Sequence, residues 1–175
     1  MNKKSLTKRL CRAGVIAALY VALTYAFMPF AFGPLQVRPA EALCLLPLFF
    51  PEAVPALFVG CALSNIASPY AIFDIPIGSA ATLLASLGTF SVGKVFQKDW
   101  LKITIGGLFP VLVNAFAIPL VIVFLCGGGE GYSSVTVAYF TYVGSIFLTQ
   151  AVWVYALGTP LYIAVKRVLQ RGKTA

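Results

Sequence analysis

Long apolar runs separated by short polar segments dominate this chain. The runs at 10–32, 74–93, 103–126 and 135–165 are each long enough to cross a bilayer as a helix, which takes ~20 mainly apolar residues. A soluble helix would instead alternate apolar and polar faces along its length. We therefore predict a transmembrane helix for each of the four runs.

The region 40–68 is also apolar, but Glu52 interrupts it and lies between Pro51 and Pro55. A glutamate among prolines indicates a turn at a membrane surface, because proline breaks helices and a charge in lipid is costly. We predict two short spans, 40–50 and 53–68, in place of one long span. Such short spans persist where neighbouring helices cover them.

The positions of the basic residues decide the topology. All 13 Lys and Arg except Arg38 lie in three clusters, within 3–12, 94–102 and 166–173. With two short spans all three clusters fall on one side of the membrane, which the positive-inside rule identifies as the cytoplasm. We predict an all-α membrane protein with six transmembrane helices, both termini cytoplasmic and a single domain over residues 1–175.

Composition excludes most other classes of protein. The chain is 60% hydrophobic and 10% charged, whereas a soluble domain has about 25% charged residues. No basic face interleaves with aromatic residues, so the net charge of +8 does not indicate a nucleic-acid partner. The chain has no histidine, and its four cysteines (11, 44, 61 and 126) are unclustered and interpreted as apolar packing residues. We expect no catalytic residues, no metal site and no cofactor.

Three predicted external segments, 36–41, 65–74 and 127–134, converge on the outer ends of the helices. In the first, Arg38 and Glu41 flank Pro39. They are either ligand-binding side chains at a pocket mouth, or a local ion pair or lipid-headgroup contact. The Gly-rich third segment lacks the Gly-Lys-Ser/Thr ending of a phosphate-binding loop, and we interpret it as a flexible loop over the pocket.

Asp74, Gly78 and Thr82 are spaced by four residues, which places a carboxylate, a gap and a hydroxyl on one helix face. That face suits a ligand or a close helix contact, and a helix cap is the alternative for Asp74. Amides inside a membrane need hydrogen-bond partners, and aromatic rings stack on planar ligands, although tyrosines also line membrane interfaces. On these grounds the remaining candidate ligand contacts are Asn65, Tyr70, Asn114, Tyr142, Gln150 and Trp153.

Small residues form a stripe along the first predicted span. Their side chains let another helix approach closely, whether in a partner protein or within the same chain. The stripe consists of Gly14, Ala18, Ala22 and Ala26, flanked by Ala13 and Ala17.

A six-span chain with this stripe resembles the substrate-binding S component of an energy-coupling factor (ECF) transporter. Its marker segments resemble the QueT family of queuosine-precursor transporters. These segments are Gln36-Val37-Arg38-Pro39-Ala40-Glu41-Ala42-Leu43, the stretch 65–74 (NIASPYAIFD) and the stretch 78–85 (GSAATLLA).

The resemblance implies a multi-pass subunit of a prokaryotic cell membrane that binds its ligand from outside. Energy would come from partners, a transmembrane coupling protein (EcfT) and two cytoplasmic ATPases (EcfA and EcfA'), because the chain has no ATPase motif of its own. The residues expected to dock on the coupling protein are Ala13, Ala17, Ala18, Ala22 and Ala26.

The implied substrate is a 7-deazaguanine base: the aminomethyl precursor (preQ1), the nitrile precursor (preQ0) or queuine. Its guanine-like edge presents N–H donors that a carboxylate such as Asp74 or Glu41 accepts. A proton-coupled secondary transporter using either carboxylate is the alternative, but it predicts an internal repeat and a mid-membrane ionisable group. We find no repeat and expect both carboxylates near the outer surface. A membrane-embedded interaction protein without a ligand is a third possibility.

Overall fold

The computed structural model describes residues 3–32, 36–128 and 130–174, and the regular elements in these ranges are all helical. The elements are α1 (Lys3–Ala26), the 3-10 helix α2 (Pro39–Leu48), α3 (Ala53–Ala67), α4 (Ala71–Val95), α5 (Asp99–Leu125) and α6 (Val135–Val152, Trp153–Leu157 and Gly158–Thr174). A short helix, Met28–Ala31, follows α1. Helices α4, α5 and α6 contain π-helical segments at Asp74–Gly78, Val121–Leu125 and Trp153–Leu157.

Four helices in the described part of the chain are long and apolar enough to cross a membrane, and they agree with the four predicted long spans. They are Ser5–Ala26, Ala71–Val95, Asp99–Leu125 and Val135–Arg171. The predicted break at Pro51 and Glu52 is also present, because α2 and α3 are separate shorter apolar helices. Whether these two helices cross the membrane stays a prediction.

Several predicted span ends differ from the helix ends. The first span was expected to reach Phe32, yet α1 ends at Ala26, before the turn that precedes Pro29. Asp99, expected in a loop, is the first residue of α5, and α6 continues well beyond the apolar run that predicted it. An apolar run marks the part of a helix that suits lipid, whereas Lys, Arg and Gln are good helix formers that extend a helix into water.

Helix α2 lies in the interior of the bundle, and its residues from Pro39 to Pro47 are all buried. One side of it, including Leu43 and Leu46, packs with residues of α1 and α3 in a first hydrophobic cluster. Leu45 packs with residues of α5 and α6 in a second cluster. Because both sides of α2 are covered by other helices, its sequence shows an apolar run without a polar face.

At one end of the bundle, the start of α1 contacts the turn between α2 and α3. Arg12 donates to Glu52 at 2.6 Å, and its guanidinium lies 4.1 Å from the ring centre of Phe50. The ring centres of Phe50 and Phe49 are 6.0 Å apart. These contacts place the N-terminal basic cluster beside the α2–α3 turn.

The other two basic clusters lie at the same end. Phe49 packs on Tyr162 of α6 with ring centres 4.6 Å apart, and the Tyr162 hydroxyl donates to Asp99 at 2.8 Å. Lys166 also pairs with Asp99, which joins the C-terminal cluster to the start of α5. All three basic clusters therefore gather at one end of the bundle, which we call the basic end.

Candidate functional site

Away from the basic end, the start of α2, the end of α3 and the start of α4 carry polar side chains into the interior. Arg38, Glu41 and Asp74 are all less than 8% exposed, although each carries a formal charge. Charged and amide groups are rarely buried in a membrane protein unless they serve a site. We use the name polar cluster for these residues, the buried Asn and Ser side chains that hydrogen-bond to them and two further buried amides: Gln36, Arg38, Glu41, Asn65, Ser68, Asp74, Asn114 and Gln150.

Glu41 is 1% exposed and accepts hydrogen bonds from two other helices and from its own helix α2. The Tyr20 hydroxyl of α1 donates to Oε1 at 2.7 Å. Asn114 of α5 and the Cys44 thiol each donate to Oε2 at 3.2 Å. Cys44 also packs in the first hydrophobic cluster, as its interpretation as a packing residue predicted, and its hydrogen bond to Glu41 is an additional role.

The Glu41 carboxylate is enclosed by α1, α2 and α5, and its expected position near the outer membrane surface stays a prediction. A local ion pair with Arg38 is excluded. The ion pairs within the described ranges are those of Arg12 with Glu52 and Lys166 with Asp99. A lipid-headgroup contact is inconsistent with the burial of both side chains.

Arg38 is held by the segment that precedes it and by α3. Its Nε donates to the backbone carbonyl of Ala31 at 3.0 Å, and Nη2 lies 3.4 Å from Asn65 Oδ1. The guanidinium also lies 5.0 Å from the ring centre of Phe32. A carbonyl at the end of a helix is a favourable partner for a cation.

Asn65 joins α3 to α4. Its Nδ2 donates to the backbone carbonyl of Asp74 at 2.8 Å, while its Oδ1 accepts from Arg38. A Cβ atom at Gly78 would lie only 2.8 Å from Asn65 Nδ2, so glycine is what allows the amide to fit there. The gap on the Asp74–Gly78–Thr82 face is therefore filled by a close helix contact.

Asp74 lies inside α4, which begins at Ala71, and no hydrogen bond from its side chain caps a helix. Its carboxylate instead accepts from the hydroxyl of Ser68. The interpretation of Asp74 as a helix cap is therefore wrong. Its carboxylate stays a candidate ligand contact in the polar cluster.

The aromatic candidates are less enclosed than the charged ones. Tyr70 is 42% exposed, and Tyr142 is half-buried with its ring 6.0 Å from that of Tyr132. Trp153 is half-buried against Phe27, with ring centres 6.4 Å apart. The structure thus brings Arg38, Asn65 and Asp74 into one hydrogen-bonded chain, and Glu41 and Asn114 into another.

Two buried amide oxygens in the described residues have no hydrogen-bond partner, Gln36 Oε1 and Gln150 Oε1. Gln150 was predicted as a ligand contact, whereas Gln36 and Tyr20 were not. A tyrosine in the middle of an apolar helix was the one available signal for Tyr20. Gln36 begins the first marker segment, which was the one available signal for it.

The small-residue stripe of α1 divides into two faces. Ala13 and Ala17 pack against the first hydrophobic cluster, and a Cβ atom at Gly60 of α3 would lie 3.2 Å from the Ala17 carbonyl oxygen. Ala13 and Ala17 therefore pack against helices of the same chain. The other face is exposed along its length and consists of Gly14, Ala18, Ala22 and Ala26.

No group of three or more His, Cys, Asp or Glu side chains able to hold a metal ion occurs among the residues the structure describes. Membrane-length helices around buried charged and amide groups are instead the architecture of a membrane transport protein. Residues 10–167 match the model of the QueT transporter family, and the chain belongs to that family.

One relative is the queuosine precursor transporter QueT of Lactococcus lactis subsp. cremoris (strain MG1363). It is 33% identical to this chain over 101 residues, which are 56% of the chain and 59% of the relative. The match therefore spans less than two thirds of the relative's own length. No solved structure matches the chain.

Proposed function

We propose that this chain is the substrate-binding S component of an ECF transporter that takes up a 7-deazaguanine base, a queuosine precursor. The observation that carries the proposal is the polar cluster, with two carboxylates, one guanidinium and several amides buried in a bundle of apolar helices. A guanine-like base offers ring N–H and amino donors to a carboxylate and a carbonyl acceptor to Arg38 or Asn114. The name of the Lactococcus relative supports this class of substrate.

The proposed topology is one six-helix domain of a prokaryotic cell membrane, with the basic end in the cytoplasm. Lys and Arg concentrate on the cytoplasmic side of membrane proteins, and three basic clusters gather at that end. The polar cluster would then receive its ligand from outside. The short helices α2 and α3 would cross the membrane because their neighbours cover them.

The proposed partner of the exposed α1 face is the coupling protein EcfT, which the ATPases EcfA and EcfA' would drive. Gly14, Ala18, Ala22 and Ala26 leave this face without bulky side chains, so a partner helix can approach its backbone. Transport energy would come from those partners, because the sequence contains no ATPase motif.

The experiment is titration calorimetry of the purified chain with 7-deazaguanine bases, comparing the native protein with Asp74→Asn. The substitution keeps the shape but places a donor where the base also presents donors. A hydrogen bond to a charged group is worth about 1.5–3 kcal/mol, which corresponds to a loss of about tenfold to a hundredfold in affinity. Glu130→Gln, on the Gly-rich loop, is the matched control and should change affinity much less.

Failure of every 7-deazaguanine base to bind the folded native chain would overturn the proposal. Unchanged affinity in Asp74→Asn would instead remove Asp74 from the site and leave Glu41 as its carboxylate. Adenine and hypoxanthine belong in the same titrations, because a carboxylate that accepts two guanine donors should discriminate against both.

Proton-coupled secondary transport is the second candidate. It is favoured by the burial of Glu41, which forms no ion pair with any residue that the structure describes. A carboxylate in that position can carry a proton across a membrane. Proteoliposomes that contain this chain alone would separate the two functions. We expect no uptake under a pH gradient without the partner proteins, and uptake by the chain alone would establish the alternative.

A further inference from the structure

We infer that the ligand of the polar cluster carries one positive charge, a protonated amine that Glu41 holds as its counter-ion. This inference rests on the proposed function, because it assigns a charge to the small molecule proposed to bind in the cluster. It goes further in selecting, among bases of the same shape, those that bear an amine.

The buried charges of the polar cluster do not balance. The buried charged residues in the described ranges are Arg38, Glu41 and Asp74, which are one cation and two anions. Neither of these carboxylates takes part in the two ion pairs, which lie at the basic end. A buried charge without an opposite charge is strongly unfavourable, so the cluster is one positive charge short.

Glu41 is the carboxylate that lies outside the hydrogen-bonded chain of Arg38. The guanidinium donates to Asn65, which in turn donates to the backbone carbonyl of Asp74, so Arg38 and Asp74 belong to one chain and Glu41 to another. The donors on Glu41 are a hydroxyl, a thiol and an amide, none of which carries a charge. They hold the carboxylate in a fixed position but do not neutralise it.

Glu41 also retains hydrogen-bonding capacity. An ionised carboxylate has about four acceptor positions, two on each oxygen. Oε2 accepts from Cys44 and Asn114, whereas the donor to Oε1 within the described ranges is Tyr20 alone. One acceptor position on Oε1 therefore stays open for a donor from the ligand.

Two buried amide groups in the described part of the chain also lack a hydrogen-bond donor. The two buried side-chain atoms without a partner in the described residues, Gln36 Oε1 and Gln150 Oε1, are both acceptors. Gln36 lies two residues before Arg38 on the same segment. These unpaired acceptors need N–H donors, which a protonated amine and a guanine-like edge supply.

The test compares two 7-deazaguanine bases of similar size, one with an aminomethyl group and one with a nitrile. Calorimetry on the native chain should give about tenfold to a hundredfold tighter binding of the aminomethyl base, as expected for one charge-assisted hydrogen bond. Glu41→Gln should bind the two bases with about equal affinity. The substitution removes the counter-ion of the aminomethyl base, whereas the nitrile base has no charge to pair. Glu130→Gln should keep the native preference.

Equal affinities of the native chain for the two bases, or an unchanged preference in Glu41→Gln, would overturn the inference and leave the proposed function intact. If neither base binds, the proposed function fails and the inference fails with it. Thermal unfolding without ligand shows whether Glu41→Gln is folded. If it is not, the native preference decides alone.

Discussion

Replacing Gly78 with alanine tests whether the contact between α3 and α4 holds the polar cluster in place. The new Cβ atom would lie 2.8 Å from Asn65 Nδ2, whereas ordinary contacts begin at 3.4 Å. Asn65 is 1% exposed, and its amide is bonded to Asp74 on one side and Arg38 on the other. The side chain therefore cannot move away without weakening both hydrogen bonds.

The size of the effect follows from those two bonds. A neutral hydrogen bond contributes about 0.5–1.5 kcal/mol to stability, and one to a charged group about 1.5–3 kcal/mol. Weakening both without abolishing either should cost roughly 1–3 kcal/mol of the free energy of unfolding. Alanine also stabilises a helix relative to glycine by about 1 kcal/mol, which would hide part of this cost.

Gly144→Ala is the matched control, because Gly144 lies in α6 and a Cβ atom there would meet nothing within 4 Å. Gly144→Ala should gain only the higher helix propensity of alanine, so its unfolding temperature should equal or exceed that of the native protein. Gly78→Ala should unfold at a lower temperature than Gly144→Ala and bind a 7-deazaguanine base more weakly. If the two variants match in unfolding and in affinity, Asn65 does not depend on the close approach at Gly78, and our account of the α3–α4 contact is refuted.

Three further predictions concern the two faces of α1 and the topology of the bundle. Ala22→Trp, on the exposed face of α1, should lower transport by the assembled complex and leave ligand binding by the isolated chain unchanged; full transport would exclude docking through this face. Ala17→Leu should instead lower the unfolding temperature, because Ala17 packs against Gly60. In a Cys-free variant, a cysteine at position 130 should react with an impermeant thiol reagent from outside and one at position 98 only after permeabilisation. Labelling of both from one side would contradict the six-span topology.

The sequence by itself determined the helical class, the four long spans and the break at Pro51 and Glu52. These features depend on local chemistry: an apolar run of membrane length favours a helix in lipid, and proline beside a charge ends one. The marker segments around Arg38 and Asn65 also indicated the QueT family, which the family match confirms. The exact helix ends were less predictable, because good helix formers extend α6 beyond the apolar run.

Only the tertiary structure decided what covers each polar side chain. Glu41 was a candidate from its position, but its partners Tyr20 and Asn114 are 21 and 73 residues away in the chain. Periodicity indicates which residues share a face and does not indicate which face of another helix lies against it. For the same reason the stripe of α1 could not be divided into Ala17, which packs on Gly60, and Ala18, which stays exposed.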